Sequence, residues 1–344
     1  MPPHQPVASS LPFATHSIAL ADLTDELHAA TSTALLEAAE VEPAPVAAEP
    51  PPTRRPGERI DWARIWPFLL LQACCLLVFV VGWSPVALIV CGALYLVRMF
   101  GITAFYHRYF SHRTFQAGRV VQFAGAVLGA SAVQRGPLWW AAHHRQHHRH
   151  SDTPQDAHSP HAHGFWWSHI GWIACRRNYA TDLTQVPDLA RFPELRWLDR
   201  NDLAVPFALL AAMLGLGALL EALAPSLGTS ALQMGVWGFC VSTTLLFHGT
   251  ASINSLAHLM GKRVWPTKDK SKNSLLLALL TLGEGWHNNH HWCPGTVRQG
   301  FRWWEIDVAY YGLRLLALFG LVRDLRPLPA RALANERRVR QSRG

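Results

Sequence analysis

Cysteine is scarce in this sequence and forms no recognisable ligand pattern. The 344 residues include six cysteines, and none belongs to a Cys-x-x-Cys pair. This usage excludes a zinc ribbon, an iron–sulfur ligand run and a disulfide framework. A Gly-x-Gly-x-x-Gly fingerprint is also absent, so no fused flavin-binding domain is indicated. A reducing compartment fits these observations.

Formal charge is almost missing from several long stretches. Between Leu203 and Gly261 the only Asp, Glu, Lys or Arg is Glu221, and the loop at 83–85 has none. Hydrophobic residues make up 50% of the chain and concentrate in runs long enough to cross a bilayer, which needs about 20 residues. We therefore predict an all-α integral membrane protein with four transmembrane helices, at about 65–82, 86–100, 203–223 and 232–253.

The placement of Lys and Arg predicts the orientation of these helices. The basic residues precede the first run, lie between the second and third, or follow the fourth. By the positive-inside rule these segments are cytoplasmic, together with both termini. The net charge of +8 thus suits a membrane surface with anionic lipid, and no nucleic-acid partner is predicted. The Ala-, Arg- and Pro-rich composition favours a bacterial plasma membrane.

Three segments complete the predicted organisation. Residues 1–60 are rich in Ala and Pro and are expected to be disordered. Residues 61–325 form the membrane domain, and 326–344 form a basic tail. Within the domain, Val120–Val133 is short for a span, so we expect a buried or interfacial helix. If it did cross, the histidine groups on either side of it would face opposite sides of the membrane.

Histidine is abundant at the predicted cytoplasmic ends of the spans. Spacings of three and four place the three histidines of each His-x-x-His-His box on one helical face. A spacing of five in the first group indicates that its helix ends or bends there. The four groups are His107 and His112; His144, His147 and His148; Asn254 and His258; and His287, His290 and His291.

Imidazole is the commonest metal ligand in proteins and suits iron, zinc, copper and nickel. Nine histidines are too many for one zinc ion and suit two ions with four or five ligands each. Any one box alone is more often a polar cluster on a wet loop. The remaining histidines outside the N-terminal segment are expected to be loop or packing residues: His143, His150, His158, His161, His163, His169 and His248.

These motifs resemble those of membrane fatty acyl desaturases, specifically the stearoyl-CoA (delta-9) desaturase family. The resemblance covers roughly residues 62–320 and rests on the order and spacing of the motifs. Small departures occur at His143 and Asn289. The matching segments are Gly101-Ile-Thr-Ala, His107-x4-His112, His144-Arg-Gln-His147-His148, Gly164-Phe-Trp-Trp-Ser-His-Ile-Gly-Trp172, Asn254-Ser-x-x-His258 and Gly283-Glu-Gly-Trp-His287-Asn-Asn-His290-His291.

The resemblance implies four transmembrane helices under a cytosolic helical cap that holds a di-iron centre. Carried over residue by residue, the implied ligands are the nine histidines of the four groups, and Asn254 would contact one metal through water. The implied reaction inserts a cis double bond, at delta-9, into a saturated acyl-CoA with molecular oxygen. Acyl carrier protein or a membrane lipid remains possible as the acyl carrier.

The resemblance also implies a substrate path and an electron donor. Tyr95 and Met99 fall where family members close the acyl tunnel, although packing against a neighbouring helix is an equal expectation from composition. Arg145, Arg176 and Arg177 are candidates for contact with coenzyme A phosphates, with lipid headgroups or solvent as the alternative. Electrons would come from a separate ferredoxin, or from cytochrome b5 with its reductase. Arg302 and the basic tail are candidates for docking that donor.

Three other functions fit parts of the sequence. A fatty acid hydroxylase or alkane monooxygenase is the nearest alternative, because it uses a similar histidine-rich di-iron site. A metal transporter would carry polar ligands near the bilayer midplane and internal repeats, which are not evident here apart from His248. A catalytically silent sensor or scaffold would not need a full ligand set.

Overall fold

The structure is a computed structural model, and it describes residues 59–330 and residue 332. The predicted disordered extension at 1–60 therefore lies almost wholly outside the described residues. The basic tail at 326–344 lies outside them beyond residue 330, apart from residue 332. The described part is mostly helical, and its only sheet is one short two-stranded pair.

Four helices are long and apolar enough to cross a membrane, in agreement with the prediction. They are α1 (Trp62–Val81), α2 (Pro85–Ser111), α6 (Ala204–Leu223) and α7 (Ala231–Leu259). α1 is broken by a short 3₁₀ turn at Cys75–Leu77. Side chains such as Phe79 and Val80 point outward with 86% and 80% of their surface exposed, which suits contact with lipid.

The helices of the second and fourth spans continue beyond the residues predicted to cross the membrane. α2 continues past residue 100 as a π-helix at Gly101–Ser111, and α7 continues to Leu259. α2 ends one residue before His112, so the predicted helix end between His107 and His112 is confirmed. Polar residues extend both helices because their side chains are buried under the cap and not exposed to lipid. These extensions carry His107 and His258 into the site.

The ambiguous segment at 120–133 forms α3 (Arg119–Ala130), whose 12 residues are too few to span a bilayer. α3 packs along α2 through two glycines. A Cβ at Gly125 would lie 2.0 Å from the Phe105 ring, and one at Gly129 would lie 2.1 Å from Tyr106. Only hydrogen at these two positions permits such close approach. Because α3 does not cross the membrane, the chain enters the cap on the same side of the spans at which α2 ends.

Arg98 is an ionisable side chain inside α2 that the sequence analysis did not single out. It is 1% exposed. Its guanidinium donates to the Ser131 carbonyl at 3.1 Å, to Thr243 Oγ1 at 2.8 Å and to Ser242 Oγ at 2.5 Å. A charge within a span is costly unless such donors are satisfied. Arg98 thus joins α2 to the end of α3 and to α7.

The cap is built from short helices between and after the spans. Its longer helices are α4 (Pro137–His150), α5 (Pro193–Arg200), α8 (Leu275–Leu280), α9 (His287–Trp292) and α10 (Val308–Leu318). The cap also contains helical turns at Pro160–His163, Phe165–His169, Gly171–Ala174, Arg176–Asn178, Leu183–Gln185 and Pro187–Ala190. A further turn, Pro225–Leu227, joins α6 to α7 at the opposite end of the spans. The strands β1 (Gln116–Ala117) and β2 (Val322–Arg323) pair antiparallel. This pair ties the segment after α10 to the segment after α2.

Candidate metal centre

Each histidine group is presented by a different helix end. Pro137 follows Gly136 at the first helical position and starts α4, which then runs unbroken through the second box to His150. The last box forms the six-residue helix α9, in which the four consecutive residues from His287 to His290 are all buried. His107 projects from α2 and His258 from the last turn of α7. The four groups therefore reach the site from four directions.

Five of the histidines form a first cluster, in which the ring nitrogens face one another. The Nε2 atom of His290 lies 3.0 Å from that of His107 and 2.9 Å from that of His148. The Nε2 atom of His144 lies 2.8 Å from that of His112 and 3.0 Å from that of His148. These five nitrogens lie within 4.8 Å of one another.

The other four histidines form a second cluster beside the first. The Nε2 atom of His287 lies 3.0 Å from that of His258 and 3.1 Å from that of His291. The Nε2 atoms of His147 and His291 are 3.3 Å apart. α4 and α9 each contribute to both clusters, since α4 gives His147 to the second and its other two box histidines to the first. The two clusters are therefore held together by the same two helices, α4 and α9.

These distances fit metal coordination. Two nitrogens bound to one ion at about 2.1 Å each are about 3.0–3.4 Å apart when they subtend angles between octahedral and tetrahedral values. Burial, reinforced by neighbouring histidines, holds the pKa well below its usual range for His112, His144, His148, His287 and His290. Their imidazoles are thus neutral near pH 7, as a ligand must be. The residues fit two metal ions, and their role as ligands stays a prediction.

Four carboxylates fix the orientation of four of these rings, and the sequence analysis assigned none of them. The Nδ1–H of His147 donates to Asp156 at 2.9 Å, that of His258 to Asp152 at 2.8 Å and that of His291 to Asp269 at 2.9 Å. His107 Nδ1 contacts Glu284 in the same way. A proton held on Nδ1 leaves the Nε2 lone pair free for a metal and makes it more basic.

Burial would raise the pKa of Asp156, but the charges of His147 and His158 outweigh it and hold that pKa well below its usual range. The pKa of Asp269 is lowered in the same way, with burial opposed by the hydrogen bond from His291. Both are therefore carboxylates near neutral pH. Only Glu284 lay inside a motif from the sequence analysis, since the others lie on loops whose spacing gives no periodic signal.

Asp156→Asn is expected to lower the affinity for metal by about 10- to 100-fold, and the rate of the reaction by a similar factor. The amide keeps the size of the carboxylate but loses the charge that orients His147. Metal per chain, measured by mass spectrometry after dialysis at a series of free metal concentrations, checks the first effect. Asp182→Asn is a matched control, because Asp182 is an exposed helix-capping residue of the cap. Equal metal affinity in both variants would contradict the prediction.

The other histidines named in the sequence analysis lie outside both clusters. His158 is the nearest. Its ring stacks on His147 at 4.5 Å, and burial lowers its pKa to about 3 despite the charge of Asp156. The Nδ1–H of His143 donates to the Trp139 carbonyl at 3.0 Å, and His169 contacts His248 at 3.0 Å. His161 and His163 contact backbone carbonyls, and His150 is exposed.

A narrow cavity leads from the clusters towards the spans. Asn254 and Met99 lie on its wall, together with Thr103, Trp140 and Thr250. Histidines of both clusters line its inner end, including His107 and His147. Met99 is 1% exposed, and its terminal methyl group lies against Gly249 of α7. Tyr95 reaches the same glycine and donates its hydroxyl to the Leu280 carbonyl at 2.6 Å.

The three arginines proposed to contact substrate phosphates differ in their surroundings. Arg145 donates to both oxygens of Asp188, at 2.7 and 3.0 Å, and also to the backbone carbonyls of Ser111, Phe110 and Gln185. These contacts favour a role in joining α2 to the cap over contact with substrate. Arg176 and Arg177 are exposed on the helical turn at Arg176–Asn178.

Comparison with known proteins gives one consistent result. The family model described as Fatty acid desaturase matches residues 82–322. The sn-2 palmitoyl-lipid 9-desaturase of Nostoc sp. (strain 36) is 38% identical over 80% of this chain and 93% of its own length. The Delta-9 acyl-lipid desaturase 1 of Arabidopsis thaliana is 35% identical over 79% and 85%. The Acyl-CoA C20 Delta5-desaturase of Anemone leveillei is 36% identical over 69% and 73%.

Proposed function

This chain belongs to the fatty acid desaturase family, and we propose that it inserts a cis double bond at the delta-9 position of a saturated acyl chain. The observation that supports this most directly is the pair of histidine clusters at the inner end of a narrow cavity between the spans. Two iron ions are the proposed cofactors. Imidazole suits iron, and the first and second clusters offer five and four nitrogens.

The reaction removes two hydrogens from neighbouring carbons and reduces dioxygen to two waters, so it also consumes two electrons and two protons. No amino-acid side chain can oxidise an unactivated C–H bond, and the bound irons would supply that oxidation. The carboxylates Asp152, Asp156 and Asp269 keep the rings of His258, His147 and His291 in one tautomer and one orientation. The metal positions are thereby set before substrate arrives.

The cavity wall positions the acyl chain. Met99, Ile102 and Ile253 give it apolar surface, and Trp140 lies beside the first cluster with its ring stacked on His144 at 5.0 Å. An acyl chain lying against this surface excludes water from the reacting carbons. Placement of one C–C bond beside the metals then decides which bond is oxidised.

The acyl carrier is proposed to be anionic, with acyl-CoA as the first choice and a membrane lipid as the alternative. A cavity on the cap is lined by Arg135, Arg196 and Arg200, and also by Asp199 and Asp202, of which Asp202 pairs with Arg135 at 3.2 Å. It is close to the narrow cavity, since Gln134 precedes Arg135 and donates to Thr250 on the narrow cavity wall at 3.0 Å. Arg176 and Arg177 lie just before Tyr179 in the chain. Guanidinium groups in this arrangement suit a phosphate-bearing head.

Expression in a bacterial host, with double-bond positions mapped by mass spectrometry, tests the function. We expect a new delta-9 cis-monoene that is absent when the host carries the His147→Ala variant. Membranes supplied with labelled stearoyl-CoA or with labelled stearoyl glycerolipid then identify the carrier. A hydroxylated product in place of the monoene would show a hydroxylase, and a double bond elsewhere would correct the position.

Met99→Ala is expected to shift the preferred acyl chain towards greater length. Met99 lines the cavity beside Gly249, and we propose that it limits the depth available to the acyl chain. Each methylene admitted to an apolar pocket changes selectivity by about 10-fold or more. The measurement is the ratio of stearoyl to palmitoyl desaturation by the purified enzyme in detergent. Leu96→Ala is the control, because Leu96 lies on the same helix with 52% of its surface exposed. An unchanged ratio for Met99→Ala would assign Met99 to packing alone.

The proposed setting is the plasma membrane of a bacterium, with the cap in the cytoplasm. The exposed basic residues of the cap, such as Arg176, Arg177 and Arg200, agree with the positive-inside rule. Electrons are proposed to come from a separate donor, a ferredoxin or cytochrome b5 with its reductase. A protease-protection assay on inside-out vesicles, with epitope tags in the cap, checks the orientation.

A further inference from the structure

The loop at 261–272 between α7 and α8 carries a dense positive charge on its outer surface. It contains Lys262, Arg263, Lys268, Lys270 and Lys272, against one acidic residue. The first four of these cations are exposed. We name this segment the cationic loop.

The single acid of the cationic loop points inward to the candidate metal centre. Asp269 is 7% exposed and accepts the Nδ1–H of His291 at 2.9 Å. The next residue, Lys270, donates its backbone N–H to Asp152 at 2.7 Å, and Asp152 holds His258. The loop is therefore one hydrogen bond from one histidine of the second cluster and two hydrogen bonds from another.

Other carboxylates around the site are also turned inward. The side chains of Asp152, Asp156 and Glu284 are buried, and each contacts a cluster histidine. Asp269 is bonded to His291 in the same way, so all four carboxylates are bonded to rings of the site, whereas Lys268 and Lys270 of the cationic loop are exposed. A surface of one sign steers an oppositely charged partner and raises its rate of encounter.

The base of the cationic loop is fixed by backbone pairing and by a contact with the end of α7. Lys262 and Asn273 pair through two backbone hydrogen bonds, at 2.9 and 2.8 Å, and form the base of the loop. Lys272 caps the end of α7 by donating to the Leu259 carbonyl at 2.6 Å. Lys268 and Lys270 lie at the other end, above His291. Lys262 and Arg263 are therefore at the base of the loop, and Lys268 and Lys270 are at its tip.

The interior of the loop is rigid. Trp265 is 1% exposed and stacks on Trp292 at 5.4 Å with an angle of 7° between the rings. Trp292 follows His291 directly in α9. The stacked pair therefore fixes the loop beside a candidate metal ligand. A protein docked on the loop would lie at a fixed distance from the site, and electron transfer requires such a fixed distance.

We propose that the tip of the cationic loop, at Lys268 and Lys270, is the docking surface for the electron donor, a small acidic one-electron carrier protein. This inference rests on the proposed desaturase function. Two docking events are needed for each double bond, because each carrier is oxidised by one electron and the reaction consumes two. The surface differs from Arg302 and the basic tail, which the sequence offered as candidates for this role.

The test measures steady-state desaturation with a reduced plant-type [2Fe–2S] ferredoxin, and in parallel with the soluble domain of cytochrome b5. In the Lys268→Glu/Lys270→Glu variant we expect KM for the carrier to rise by about 10-fold or more at low ionic strength. The difference from the unaltered enzyme should shrink at high salt, because exposed charges are screened. Lys268→Gln/Lys270→Gln should give a smaller rise, and it serves if charge reversal impairs folding.

Arg191→Glu/Arg323→Glu is the matched control, since it makes the same change in net charge at exposed positions elsewhere on the cap. Iron per chain should be equal in all variants. A carrier KM that is unchanged in both Lys268/Lys270 variants, or that rises equally in the control, would overturn the proposal. Unaltered enzyme that turns over with a chemical reductant but with neither carrier would also overturn it.

A single turnover driven by dithionite through an uncharged mediator separates this inference from the proposed function. If that turnover yields no monoene in the unaltered enzyme, the desaturase function fails. If that turnover is normal in every variant while the KM for the carrier rises in the Lys268/Lys270 variants, docking at the loop tip is supported. Weaker partition of the charge-reversed protein into anionic phosphatidylglycerol vesicles, with no change in KM, would instead assign the tip to the lipid surface and overturn the proposal.

Discussion

Protein carrying His290→Ala is expected to lose desaturation entirely and to bind less metal. His290 is 1% exposed, and its Nε2 atom lies 3.0 Å from that of His107 and 2.9 Å from that of His148. Water cannot readily take the place of the missing imidazole, because the cap encloses the site. The loss should exceed the 10- to 100-fold cost typical of removing a partner of a metal ligand, because here the ligand itself is removed.

Two measurements check this expectation, namely iron per chain by mass spectrometry and monoene formed per enzyme. Iron should fall from two towards one, because the second cluster does not include His290. His150→Ala is the control, as His150 is the exposed last residue of α4, two positions after His148. Full iron content and activity in His290→Ala would show that the first cluster does not hold metal in the way we propose.

Arg108→Met is expected to cause the largest loss of stability, about 3–5 kcal/mol in the free energy of unfolding. Arg108 is 1% exposed and donates to Asp307 at 2.9 Å and to Glu284 at 3.3 Å. Its removal leaves two buried carboxylates facing each other without a cation. The same change releases Glu284, which also contacts His107, so metal affinity should fall as well.

Thermal unfolding in detergent measures the effect, and a fall in Tm on the order of 10 °C is expected. Arg119→Met provides the matched control. Arg119 forms a two-bond pair with Glu194, but 64% of its side chain is exposed, so water replaces the lost contact. Similar Tm values for the two variants would contradict the buried-pair argument. Partial recovery of Tm in Arg108→Met combined with Asp307→Asn would support it.

The sequence predicted the spans well because lipid imposes a simple rule. A run of about 20 apolar residues has few alternatives to a membrane helix, and the four predicted runs agree with α1, α2, α6 and α7 to within a few residues at most ends. The exceptions are the ends of α2 and α7 that enter the cap. There the helix continues through polar residues, because the cap and not lipid surrounds them.

Local spacing also placed the histidine boxes on helices. Spacings of three and four are a property of one helix and need no knowledge of the rest of the fold. What spacing does not reveal is the division of the boxes between two clusters. His147 belongs to one cluster and its neighbour His148 to the other, and only the position of α9 against α4 decides this.

The sequence by itself therefore determined the membrane class, the four spans and the residues able to bind metal. The tertiary structure alone decided which carboxylates orient the rings, because Asp152, Asp156 and Asp269 reach their histidines across loops. It also decided that Arg145 binds Asp188 and that Arg98 is satisfied inside α2. Apolar runs and helical faces follow from nearest neighbours in the chain, whereas hydrogen bonds between distant segments depend on how the whole chain packs.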